Sequence, residues 1–190
     1  IDFANSIDAK NLLEIGVANG YSSSMLYKYA EMNSNVKIIS IDLPRFEVDD
    51  HDLSLLHRII KKVSMYSRIE TTGTVLDIKP GGIVPREKWC GWLVPHNLRK
   101  KINNILYIGD VFSVFDEFTD DKFDLVVVDA MKDYESRYKL LNKCYSRLNN
   151  GGFIVLDGAW INPAFENFCS NNGLVSHTVG RVSWAKSPEN

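Results

Sequence analysis

Five stretches of this 190-residue chain place acids, glycines or a lysine just where an apolar run ends. The first is Leu12-Leu13-Glu14-Ile15-Gly16-Val17-Ala18-Asn19-Gly20-Tyr21-Ser22, which reads as a strand, a glycine turn and a helix start. Gly16 and Gly20 let backbone come close to a ligand, and the free N–H groups of a helix start receive a polar group. A dinucleotide fingerprint would read G-x-G-x-x-G, but position 18 is Ala and the second glycine falls four residues after the first. Glu14, just before the turn, would oppose a pyrophosphate and favour an ammonium group. An ordinary strand-to-helix turn satisfies the same pattern.

The second run, Ile38-Ile39-Ser40-Ile41-Asp42, ends on a carboxylate placed to accept both hydroxyls of a ribose. Gly109-Asp110-Val111 follows a third run and puts another acid at the same edge, where it could hold an adenine amino group. Val128-Asp129-Ala130-Met131-Lys132 and Leu156-Asp157-Gly158-Ala159-Trp160 end two more runs with acids. Each acid alone also reads as a strand cap; their recurrence at successive strand ends is harder to dismiss. His51, His57, His96 and His177 show no metal-ligand spacing and read as surface or structural residues.

The elements that must carry these residues follow a βαβ rhythm. Strands are expected at Asn11 to Ile15, Lys37 to Ile41, Ile105 to Ile108, Leu125 to Val128 and Phe153 to Leu156. Helices are expected at Ser22 to Met32, Val111 to Phe118 and Tyr134 to Leu148. The last of these carries an apolar face of Tyr138, Leu141, Cys144, Tyr145 and Leu148. It should break at Asn149, Asn150, Gly151 and Gly152. Leu174 to Val179 and Val182 to Ala185, around Gly180 and Arg181, form a closing antiparallel hairpin. The fold class is therefore α/β, a Rossmann-like doubly wound and mostly parallel sheet with an antiparallel C-terminal edge. Residues 1–190 read as a single domain with 43–104 as an insertion or lid, holding a helix near Leu53 to Met65 and a loop with Gly81, Gly82, Pro85, Trp89 and Trp92.

Composition bounds the partners. The chain is 45% hydrophobic and 24% charged, enough for one full-sized core. A net charge of -2 and a pI near 6.1 argue against nucleic acid held by bulk phosphate attraction and favour a small molecule. No apolar run reaches the roughly 18 to 20 residues of a membrane helix. Cys90, Cys144 and Cys169 are odd in number and widely spaced, so buried or incidental thiols in a reducing, cytoplasmic compartment are expected. The chain starts at Ile1 without a signal-like segment, and a further N-terminal segment is expected to precede it.

The glycine turn and the Asp129 to Lys132 stretch resemble the class I S-adenosylmethionine-dependent methyltransferases, most of all the catechol and caffeoyl-coenzyme-A O-methyltransferase branch, whose turn is likewise G-x-x-x-G-Y-S. The resemblance spans most of Leu12 to Trp160. It implies that Glu14, Gly16, Gly20 and Ser22 lie by the methionine part of S-adenosylmethionine, that Asp42 holds the ribose, and that Asp110 and Val111 lie by the adenine. Asp129 borders the same cofactor and, with Asp157, would bind Mg2+ or another divalent cation. Lys132 would help take the proton from the acceptor hydroxyl, since a nearby cation lowers a hydroxyl pKa and a partly desolvated lysine loses its proton near neutral pH. The branch carries Asp then Asn or Asp at the last strand end; here Gly158 supplies no oxygen, so the metal is an open alternative.

A second resemblance, to a broad bacterial group of class I methyltransferases of uncertain substrate, rests on Gly91-Trp92-Leu93-Val94-Pro95, Leu98-Arg99, Asn162-Pro163-Ala164-Phe165 with Phe168, and Gly180-Arg181-Val182. That group's histidine after the fourth strand is replaced by Met131 and Lys132. Together the resemblances imply O-methylation of a small-molecule acceptor, a sugar or a secondary metabolite, with Trp92 and Trp160 forming the acceptor wall. Trp89 and Trp92 would supply the anchors of a homodimer contact. The alternative is a nucleoside-binding or scaffold protein of the same fold without methyl transfer; a nicotinamide-dependent oxidoreductase is a poorer third choice.

Overall fold

The computed structural model describes residues 1–18, 20–42, 68–71, 94–108, 110–115 and 121–189. In chain order the elements are α1 (Asp2–Ser6), β1 (Asn11–Ile15), α2 (Tyr21–Met32), β2 (Lys37–Asp42), β3 (Arg68–Thr71), α3 (His96–Lys101), β4 (Asn103–Ile108), α4 (Val111–Val114), β5 (Phe123–Val128), α5 (Tyr134–Tyr145), β6 (Leu148–Asp157), α6 (Ala164–Asn171), β7 (His177–Val179) and β8 (Val182–Lys186). A 3-10 turn covers Ala159–Ile161. The strands are mostly parallel and end in an antiparallel hairpin, which is the α/β, Rossmann-like class expected from the sequence. The chain forms two compact units, Ile1–Ile15 with Asp120–Asn190, and Gly16–Thr119.

In the first unit the strand order is β1-β5-β6-β8-β7. β1, β5 and β6 run parallel, with Ile15 opposite Val128 and Val128 opposite Leu156, so Asp129 and Asp157 both emerge at one carboxyl edge. The Asp129 amide donates to the Ile15 carbonyl at 2.8 Å and extends that ladder by one rung. Strands covered on both faces read as continuous apolar runs, and Leu12, Leu13, Val126, Val128, Ile154 and Leu156 are all buried. Asp133 caps α5 by accepting from the Ser136 amide at 2.9 Å. α6 packs on α5 through the Tyr145 and Phe168 rings and through Asn167 and Asn171, which donate to the Tyr134 and Tyr138 hydroxyls.

Three expectations differ from the structure. α5 stops at Tyr145, and Asn149 to Gly152 lie inside β6 rather than in a loop. The register slips there, with Phe123 opposite Leu148 but Leu125 opposite Phe153. The bulge survives because the C-terminal residues satisfy it: Gly151 N donates to Pro188 O, Ser187 N to Gly152 O, and Ser187 Oγ to Asn149 O. The buried face of α5 is also rotated from the expected one. It consists of Arg137, Leu140, Leu141 and Cys144, with Tyr138 and Tyr145 at its half-buried margins. The hairpin is shorter than expected on its first side, His177–Val179, and turns at Gly180 with φ +60°, where a two-residue loop favours glycine.

In the second unit β4 lies between β2, parallel to it, and β3, antiparallel to it. β3 was not foreseen, because a strand of four residues is too short to show a periodicity of its own. α2 buries Leu26, Tyr27, Tyr29 and Ala30. α4 is described only as Val111–Val114. The expected helix near residues 53–65, the loop with Gly81, Gly82 and Pro85, and Trp89, Cys90, Trp92, His51 and His57 lie outside the described residues. Among the described residues no helix is long and apolar enough to cross a membrane.

Candidate active site

In the second unit the glycine turn follows Ile15 directly along the chain. Gly16 sits at φ +92° and donates its amide to Ile41 O at 2.8 Å, which hangs the start of the turn on the end of β2. Ala18, at φ +51°, donates its amide to Asp42 Oδ2 at 2.6 Å. Gly20, at φ +90°, donates to Val17 O and caps α2, its carbonyl accepting from the Ser24 amide and hydroxyl. Three left-handed positions in so short a turn need glycine or a compensating bond. Ala18 has the bond, a charge-assisted one to a carboxylate. Ala18 escaped the sequence reading because alanine gives no hint of positive φ.

Ser22 lies half-buried in the first turn of α2. Asp110 is exposed and caps α4, accepting from Ser113 N at 2.9 Å and Ser113 Oγ at 3.1 Å. Val111 turns inward at 3% exposure, so it is a core residue of that unit. The turn, Asp42 and Asp110 thus stand in the second unit together, with glycine backbone and carboxylates of the kind a nucleoside needs.

The first unit holds the remaining residues. Glu14 is 1% exposed within β1, opposite Val127. Asp129 and Lys132 form an ion pair, Nζ to Oδ1 at 2.7 Å, across a turn in which Met131 takes φ +52°. Asn162 Nδ2 donates to Lys132 O at 2.8 Å and fixes the far end of that turn. The lysine side chain is 56% exposed, so the desolvation expected of it is absent. Its position in a short, solvent-facing turn is the reason. Asp157 Oδ1 accepts from Gly158 N at 2.7 Å and faces Arg181 Nε at 3.5 Å. Trp160 is 72% exposed on the 3-10 turn.

Arg137 was missed by the sequence reading. It is fully buried; Nε donates to Met131 O at 2.7 Å and Nη1 to Gly158 O at 2.9 Å, while Nη2 finds no partner among the described residues. Burial pulls its pKa down, and the Asp129, Asp133 and Asp157 carboxylates push it back up. The signal was available: Arg137 precedes Leu140, Leu141 and Cys144 at helical spacing, which makes it a basic residue on an apolar stripe. Arg181 entered the sequence analysis as a hairpin residue and as part of the second resemblance, with no role at the site, yet its carbonyl accepts from Gly158 N and Ala159 N.

Magnesium wants six oxygens at short range. Among the described residues no group of three or more His, Cys, Asp or Glu is placed to hold a metal. Asp129 is engaged by Lys132, Asp157 by Gly158 N and Arg181, and Gly158 brings no side chain. Asp129 and Asp157 as they stand do not fit a resident divalent ion. The turn of the second unit, by contrast, fits an adenosyl group, since its positive-φ backbone leaves no Cβ at Gly16 or Gly20 to obstruct approach.

A family model described as a methyltransferase domain matches residues 13–159. An O-methyltransferase from Bacillus cereus in complex with SAH is similar in structure at 14% identity, covering 97% of this chain and 77% of that chain, with a TM-score of 0.56. The O-methyltransferase TomG from Streptomyces achromogenes, involved in tomaymycin synthesis and in complex with SAM, is similar at 16% identity, covering 97% and 76%, with a TM-score of 0.55. A SAH-bound methyltransferase from Podospora anserina is similar at 15% identity, covering 98% and 75%, with a TM-score of 0.55. Likeness at such identities is a likeness of fold. No curated protein matches this chain.

Proposed function

Because the chain belongs to the methyltransferase domain family, we propose that it uses S-adenosylmethionine to methylate a hydroxyl of a small molecule, a sugar or a secondary metabolite. The observation that carries this reading is the Asp42 to Ala18 bond, which ties a ribose-type carboxylate to a glycine turn of positive-φ backbone. That structural neighbours from Bacillus cereus and Streptomyces achromogenes are O-methyltransferases supports the oxygen acceptor. The cofactor, when bound, supplies an electrophilic methyl group whose leaving group is a neutral thioether.

In this reading Gly16, Gly20, Ser22 and Glu14 receive the methionine part, Asp42 the ribose, and Asp110 the adenine. Transfer forms an O–CH3 bond, breaks the S–CH3 bond and releases the hydroxyl proton. Little acid or base help is needed beyond placing the oxygen in line and removing its proton, so proximity supplies much of the rate. The Lys132 ammonium orients the hydroxyl and the Asp129 carboxylate beside it accepts the proton; Asp157 holds a neighbouring polar group of the acceptor, and Trp160 offers an aromatic wall. A divalent ion has no part in this reading, for the donor-set reason given above. The acceptor is a free small molecule, with neither nucleic acid nor membrane required.

Isothermal titration with S-adenosylhomocysteine tests the first step, and absence of binding would remove the reading. A methyl-transfer assay over phenols, sugars and amino-containing metabolites tests the second. Binding without transfer to any acceptor would leave a nucleoside-binding protein of the same fold.

A further inference from the structure

Arg137 is the largest fully buried side chain among the described residues, and a buried charge is costly unless it is paired. It stands in the first turn of α5 and uses its planar fork on two loops at once. Nε holds the carbonyl of Met131, two residues after Asp129; Nη1 holds the carbonyl of Gly158, the residue after Asp157. The remaining group, Nη2, is buried and finds no partner among the described residues. It lies 3.9 Å from the point at which a side chain at Gly158 would begin. The guanidinium therefore sits on the side from which a ligand oxygen at position 158 would have reached out.

The charges close locally as well. Asp129, Asp133 and Asp157 all act on Arg137, while Lys132 and Arg181 pair with Asp129 and Asp157 at 2.7 and 3.5 Å. Three carboxylates face three cations, so a divalent ion would enter only by displacing Lys132 or Arg181. A guanidinium stays protonated at any working pH and holds its fork rigidly. It offers the two loops a permanent bridge that no metal concentration can empty.

We propose that Arg137 is a positioning residue that does here what a shared divalent ion would do: one buried positive charge ties the Asp129–Lys132 loop to the Asp157–Gly158 loop, and these carboxylates consequently take up no divalent cation. The proposal rests on the methyltransferase reading for the view that these loops face the acceptor.

The test measures melting temperature with Mg2+, with Ca2+ and with chelator, alongside a direct calorimetric titration with Mg2+. The wild-type chain should give no binding heat and no melting shift. Arg137→Met and Arg137→Gln should melt lower and gain a stabilisation by Mg2+ or Ca2+ that the wild type lacks, because their carboxylates have lost a counter-charge. Arg137→Lys keeps the charge, cannot hold both carbonyls, and should melt lower without a divalent response. An arginine that was merely structural would lower the melting temperature without creating that response, so a folded Arg137→Met indifferent to divalent ions overturns the proposal.

Should the Arg137 variants fail to fold, Gly158→Asp decides. Its φ of +71° is a conformation aspartate tolerates, and the Ile161 side-chain end, 3.0 Å from the new Cβ, can move aside. The new carboxylate should meet Nη2, raise the melting temperature and bind no divalent ion. Divalent binding by Gly158→Asp, or by the wild type, overturns the proposal. S-adenosylhomocysteine binding by the same samples is read separately. Its loss in the wild type would sink the methyltransferase reading while leaving the divalent result legible.

Discussion

Asp42 Oδ2 accepts the Ala18 amide at 2.6 Å, so the carboxylate that ends β2 also holds the middle of the glycine turn. In the proposed reading one acid serves both the ribose and the backbone of the glycine turn. Asp42→Ala should weaken S-adenosylhomocysteine binding roughly 10- to 100-fold, from about 1.5 to 3 kcal/mol for a hydrogen bond to a charged group. Asp42→Asn keeps an acceptor oxygen for Ala18 and should lose less. Calorimetric titration of both variants checks this; equal affinity in Asp42→Ala and the wild type would reduce Asp42 to a strand cap.

Gly16 and Gly20 take φ of +92° and +90°, outside what a β-branched residue can adopt without strain. Gly16→Val should abolish cofactor binding and lower the melting temperature, because strain and lost approach act together. Gly20→Ala should fold and bind more weakly, its methyl group standing at the N-cap of α2. Circular dichroism melts beside titration separate the two effects, and a Gly16→Val variant that binds normally would end the argument from the turn.

The parts of the fold that were legible were those in which one physical pattern dominates. β1, β2 and β5 are apolar runs ended by glycine or acid, and they were found within a residue or two at each end. Leu148 to Gly152 were misread because turn-forming residues gave the only local signal, while Ser187 and Pro188, far along the chain, supply the partners that make a strand of them. Asp42, Asp129 and Asp157 were visible as acids at strand ends. Arg137 was not, because its role depends on two carbonyls, of Met131 and Gly158, that come together only through the β5 and β6 register.

Lys132 pairs with Asp129 on the surface, and an exposed pair of this kind contributes only about 0.2 to 1 kcal/mol. Lys132→Met should therefore leave the melting temperature and S-adenosylhomocysteine affinity nearly unchanged while removing methyl transfer to any acceptor the wild type uses. Asp129→Asn should also remove transfer, since it breaks the same couple from the other side. Transfer assays under exhaustive chelation should match untreated enzyme. Full turnover by Lys132→Met would remove Lys132 from the reaction.

Burial raises the Cys144 thiol far above its ordinary range, and raises Cys169 to about 11 against an opposing hydrogen bond from Ser176. Unfolded thiols ionise near pH 8.5. Below that value both states keep their protons and the thiols leave stability unchanged with pH. Above it the unfolded chain loses protons that the native chain retains, so the unfolded state is favoured as pH rises, by about 1.4 kcal/mol per pH unit for each fully ionising thiol. For Cys169 the loss should level off near pH 11, and for Cys144 it should continue beyond. Urea denaturation at pH 8, 9 and 10 should show stability falling more steeply in the wild type than in Cys144→Ala or Cys169→Ala, with the double variant flattest. Tyrosines and lysines contribute equally to all four proteins, so the difference in slope isolates the thiols; parallel slopes would mean that neither thiol is held protonated by the fold.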